Sequence, residues 1–95
     1  MDNQHRKISG YRELDQEEID LMNRVKALGP AIESVLVDVQ EFIKNQKTRG
    51  SAFEQEAVLA RHEDATPERF AALAKTDFQT ALMYLTRSVA QPTFF

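Results

Sequence analysis

Met22, Val25, Gly29, Ile32, Leu36, Val39 and Ile43 follow one another at alternating steps of three and four residues. That spacing constrains the chain more than any other feature. A strand would need a period of two, whereas steps of three and four put every apolar side chain on one face of a helix. Their mean step of about 3.5 suits packing along a second long helix. Val35 and Phe42 widen the same stripe. Gly29-Pro30 interrupts it, because Pro30 removes an amide and crowds the preceding turn. A kink or a break into two helices follows, and the kink is preferred because the stripe keeps its phase across the interruption.

Local signals bound the helices. Asp15-Gln16-Glu17-Glu18 reads as a capping box, in which Asp15 accepts from a first-turn amide and Glu18 reaches back. The helix should end between Lys47 and Gly50, with Lys44, Lys47 and Arg49 near its negative end. Ser51-Ala52-Phe53-Glu54 is a second box, opening a short helix to about His62. Thr66-Pro67-Glu68 reads as a side-chain cap, a proline at the first helical position and an acid. From there Phe70, Leu73, Ala74, Asp77, Phe78, Ala81, Leu82, Leu85 and Val89 share a face until Pro92 stops the helix.

These elements predict an all-α fold: a kinked long helix antiparallel to a second long helix, plus a short helix. One domain, 1–95, is expected, with an arm over 1–14, helices over 15–92 and a tail over 93–95. Three glycines and three prolines in 95 residues fit helices better than a turn-rich sandwich. A helix from 16 to 47 would extend about 48 Å, and one short helix cannot cover two such rods. The uncovered apolar surface, with Phe94 and Phe95, predicts a homo-oligomer.

Composition narrows the chemistry. Cysteine is absent, which excludes disulfides and thiolate metal sites. No apolar run approaches the roughly 20 residues that span a bilayer, so a soluble cytosolic chain and no membrane partner are expected. A net charge of −3 argues against a nucleic-acid polymer as partner. The charge is uneven, however, since residues 1–12 hold Arg6, Lys7 and Arg12 against Asp2 alone. His5 and His62 are the only histidines and form no ligand spacing, so no metal, cofactor or catalytic residue is expected. His62-Glu63-Asp64 is a polar interhelical turn first and an acid–base group only with partners from elsewhere.

Two residues carry the binding chemistry. Tyr11 sits among bases, where a ring can stack on a nucleobase while a cation meets phosphate, or can simply staple the arm to the helix. Lys26 lies about 110° from the centre of the apolar stripe. It either snorkels beside the seam or offers its ammonium to an anion, twice over if two copies meet there.

The stretch ISGYRELDQEEIDLMNRVK, with Tyr11 and Lys26 in place, resembles the phage-encoded anti-CBASS nucleotide sponges, the second type of the Acb series. The likeness extends over nearly the whole chain. It implies a compact helical protein that assembles into a homohexamer in the host bacterial cytoplasm. Such a protein sequesters cyclic dinucleotides such as 3′,3′-cGAMP between protomers without cleaving them, and cyclic trinucleotides at separate sites. By this resemblance Tyr11 stacks on a base and Lys26 contacts phosphate. Arg12 and Arg6 join them on local charge alone. Two other readings stay open: a helical adaptor or antitoxin-like interaction module, and a cyclic nucleotide hydrolase using His62, Glu63 or Asp64.

Overall fold

A computed structural model describes residues 13–94. Three helices follow in order: α1 (Gln16–Gln46), α2 (Ala52–Ala65) and α3 (Pro67–Ala90). No strand occurs among the described residues, so the fold is all-α. The arm over 1–12, with Arg6, Tyr11 and Arg12, lies outside the described residues, as does Phe95.

The first start signal works as the sequence indicates. The Glu18 amide donates to Asp15 Oδ1 at 2.9 Å, and the Asp15 amide donates to Glu18 Oε1 at 3.1 Å. Two donors that the helix cannot satisfy internally are thus paired reciprocally. Replacing Asp15 with Ala removes the acceptor of the Glu18 amide and keeps the backbone amide that donates to Glu18. Asp15→Ala is expected to lower unfolding stability by about 1 kcal/mol. In urea the midpoint should fall with the slope unchanged.

Helix α1 runs unbroken through Pro30, so the break into two helices does not occur. Gly29 helps to explain this. A residue before proline is driven out of the α region by a clash with its Cβ and amide, and glycine has no Cβ. The end of α1 falls at Gln46, one residue before the expected window. Its last carbonyls are closed by short-range bonds from the Lys47 amide to Lys44 and from the Thr48 amide to Asn45. Gly50, at φ +84°, then turns the chain.

Helix α2 begins at the expected cap, with the Glu54 amide donating to Ser51 Oγ at 3.2 Å. It runs to Ala65, nearly one turn beyond His62. The polar residues Glu63 and Asp64 do not end it; Thr66 does, and its role corrects the sequence reading. Thr66 adopts φ 45° and ψ 56°, closing α2 with a bond from its amide to the His62 carbonyl at 2.8 Å. A side-chain N-cap requires extended backbone, so Thr66 serves α3 through its carbonyl, which accepts from Phe70. Pro67 disfavours a right-handed helical residue before it, and of the conformations that remain Thr66 takes the left-handed one that closes α2. Pro67 itself opens α3 as expected, and α3 stops at Ala90, two residues before Pro92.

The described residues form two compact units. One joins the start of α1, up to Pro30, with the part of α3 from Gln79 onward. There Met22, Val25, Leu82 and Val89 are half-buried, and a Cβ built on Gly29 would touch Leu82 Cδ1 at 4.0 Å. In the same unit Arg87 Nη2 donates to the Phe94 carbonyl at 3.2 Å, holding the chain end beside α3. The other unit, Ala31–Phe78, joins the end of α1, all of α2 and the start of α3. It holds the two most buried apolar residues, Ile43 and Ala71, at 5% and 8% exposure.

Much of the apolar stripe stays in solvent. Val35 is 62% exposed, Phe42 52% and Phe70 56%. A continuous apolar period therefore did not translate into a continuous core.

Candidate functional site

Lys26 is the one sequence-selected binding residue that falls within the described residues. It stands on the exposed surface of α1, with half-buried Met22, Val25 and Gly29 on neighbouring turns. That pattern follows from the helix geometry, which sets Lys26 well off the apolar stripe. Its ammonium lies in solvent and is free to meet an anion. Lys26 is also followed four residues on by Pro30, which has no amide to donate.

Among the open concavities of the unit Ala31–Phe78, two are lined mainly by apolar residues. An apolar groove of about 450 Å³ is lined by Ile32, Val35, Val39, Ala74 and Phe78 among others. A neighbouring cleft of about 370 Å³ is bordered by Phe42, Gln46, Arg61, His62 and Phe70. Arg49 lies over the Phe42 ring at 5.9 Å, and Arg69 over the Phe70 ring at 5.0 Å. Both are within cation–π range.

His62 illustrates what spacing along the chain does not reveal. Its Nε2 is 3.0 Å from Gln46 Oε1, and the bond ties α2 to the end of α1. Because Gln46 Oε1 can only accept, the ring donates there. His62 Nδ1 is then a buried nitrogen with no bonded partner among the described residues. The histidine therefore has an amide oxygen, not a carboxylate, as its bonded neighbour. A general base oriented by an acid is built differently. The sequence reading of His62-Glu63-Asp64 as an interhelical turn changes in one respect, since all three belong to α2. Among the described residues no group of three His, Asp or Glu side chains is arranged to hold a metal ion.

Lys47 and Glu68 pair across this unit, joining the residue just past α1 to the first turn of α3. The Lys47 hydrogen bond, then its charge, hold the Glu68 carboxyl below the usual carboxylate range, with a weaker contribution from His62. A carboxyl lowered by folding stabilises the fold above its unfolded pKa. That contribution is lost as pH falls through the folded value. Both side chains are solvent-accessible, so screening keeps the contribution small.

No helix among the described residues is long and apolar enough to cross a membrane.

Comparison with known proteins adds what geometry alone does not. The Acb2/Tad1 hairpin domain matches residues 5–90, which is most of the chain. The chain belongs to the Acb2/Tad1 hairpin-domain family. A curated relative, anti-CBASS protein 2 of Pseudomonas phage JBD67, is 42% identical over 105 aligned residues, covering 97% of each chain. The match to the Acb2/Tad1 hairpin domain begins at residue 5, so Arg6, Tyr11, Arg12 and Lys26 all lie inside it.

Proposed function

We propose that this protein is a phage anti-defence protein that binds and sequesters cyclic oligonucleotide messengers of CBASS immunity without cleaving them. The observation that carries this reading is the 42% identity to anti-CBASS protein 2 across 97% of both chains. Cyclic dinucleotides such as 3′,3′-cGAMP are the principal ligands, and cyclic trinucleotides occupy a separate site. By blocking the signal, the protein keeps CBASS effectors inactive in the cytoplasm of the infected cell.

The binding chemistry rests on Lys26 and Tyr11, with Arg12 and Arg6 adding positive charge nearby. Lys26 presents an exposed ammonium suited to a phosphate, and Tyr11 supplies a ring on which a base stacks. The exposed apolar residues of α1 and α3, Val35, Phe42, Phe70 and Phe78 among them, favour burial against other copies, and the family resemblance makes that assembly a homohexamer. A cyclic dinucleotide has two bases and two phosphates about an approximate two-fold axis. A symmetric interface would offer each base one Tyr11 and each phosphate one Lys26.

Sequestration needs tight sites in excess, not turnover. Free sites at about 100 times Kd hold about 99% of a ligand. Mixing the protein with 3′,3′-cGAMP should hide the messenger from a CBASS effector, and heat-denaturing the mixture should return it chemically intact. Linear or degraded nucleotide in the heated sample would make the protein a hydrolase. A melting temperature indifferent to every cyclic oligonucleotide tested would favour an adaptor role.

A further inference from the structure

An α-helix hides its backbone acceptors, because each carbonyl is taken by the amide four residues on. At Lys26 that rule fails. Helix α1 is continuous from Gln16 to Gln46, and the residue four beyond Lys26 is Pro30. Proline carries no N–H, and its ring presses on the carbonyl of the residue four before it, tilting that group away from the helix axis. The Lys26 carbonyl therefore loses its helical donor at the one residue whose side chain is the candidate phosphate ligand. Lys26, Ala27 and Pro30 are all exposed, which leaves this turn of the helix open to a ligand. The same short stretch of surface thus carries a cationic donor and an uncommitted acceptor.

We infer that Pro30 is a specificity-determining residue: it frees the Lys26 main-chain carbonyl to accept a hydrogen bond from a ribose hydroxyl of the nucleotide whose phosphate the Lys26 ammonium holds. This rests on the cyclic-dinucleotide reading above. The chemistry of the ligand fits the pairing. In a 3′-linked ribonucleotide the free hydroxyl is on the carbon next to the one bearing the phosphate. A residue that binds the phosphate through its side chain has that hydroxyl within reach of its own backbone. A hydroxyl can donate to a carbonyl, whereas a 2′-deoxy sugar offers no donor there. The carbonyl would then discriminate ribose from deoxyribose, which an ammonium on phosphate alone cannot do.

The test compares Pro30→Ala with the parent protein, titrating each with 3′,3′-cGAMP and with its bis-2′-deoxy analogue. Alanine restores the amide, which reclaims the Lys26 carbonyl for the helix. One neutral hydrogen bond is worth a factor of about two to ten, and a ligand clasped symmetrically by two copies makes it twice. The parent should prefer the ribose ligand by about 25-fold. Pro30→Ala should bind the ribose ligand about 25-fold more weakly and the deoxy analogue as before, so that the preference disappears. Pro30→Gly, which also restores the amide, should behave alike.

A change in helix shape alone would weaken both ligands equally and leave the preference intact. That result overturns the inference, as does a parent protein that does not distinguish the two sugars. If Lys26→Ala abolishes binding while Pro30→Ala keeps the sugar preference, the inference fails and the sponge reading stands. If the parent binds neither ligand, the sponge reading fails, and this inference with it.

Discussion

Lys26→Ala weakens binding of 3′,3′-cGAMP by about a hundredfold in calorimetry, while the circular-dichroism spectrum and melting temperature stay close to those of the parent. The expected size follows from the hydrogen bond that alanine cannot make. A charge-assisted hydrogen bond to phosphate is worth about 1.5–3 kcal/mol, or roughly 10- to 150-fold in affinity. A ligand clasped symmetrically by two copies is deprived of that bond twice, which moves the effect to the upper end or beyond. The fold is spared because Lys26 is exposed on α1 and contributes no core packing. Lys26→Arg separates charge from geometry, since arginine keeps the charge but replaces a compact ammonium with a planar fork. Partial recovery by arginine indicates a phosphate contact. Undiminished affinity in Lys26→Ala would mean that this lysine only covers apolar surface beside the seam.

Ile43→Ala produces the largest loss of stability in the chain. Ile43 is 5% exposed, borders the cleft near His62 and shares its surroundings with Ala71. Truncating a buried isoleucine to alanine removes transfer free energy and leaves a cavity, together about 2–5 kcal/mol. Whole domains are stable by only about 5–15 kcal/mol, and a chain with so little buried surface sits toward the low end. The melting temperature should therefore fall sharply or the transition lose its cooperativity. Val35→Ala is the comparison that gives this result meaning. Val35 is 62% exposed in the single chain, so truncating it there changes little. If another copy covers Val35, its truncation instead weakens assembly, and sedimentation velocity reads that as a smaller particle.

The start signals were legible in the sequence with one exception, and the stops less so, since α1 ends one residue before its expected window and α2 runs three residues past His62. The Asp15–Glu18 box, Ser51 as a cap and Pro67 at the first position of α3 all appear where the residues indicate. Each signal acts within a single turn, so residues three apart are enough to specify it. Thr66 reads as a side-chain cap by composition but closes α2 in a left-handed conformation, its amide bonding the His62 carbonyl. There the need to end one helix outweighed the preference of the residue for starting the next. The site was legible in part: the exposure of Lys26 follows from its helix angle. Tyr11, Arg12 and Arg6 lie outside the described residues; the role proposed for Tyr11 rests on the resemblance to the family, and those of Arg12 and Arg6 on local charge alone.

Period and capping, acting over a few residues, by themselves determined three helices and the separation of Lys26 from the apolar face. Depth of burial was decided only in three dimensions. Ile43 and Val35 are both apolar members of one stripe on one helix, yet one is enclosed and the other open. Burial depends on what stands opposite, and a helical period records a direction around an axis without recording whether a neighbour occupies it. The bond from His62 to Gln46 has the same origin. Their separation of sixteen residues contains no local signal, and they meet because α2 folds back beside the end of α1.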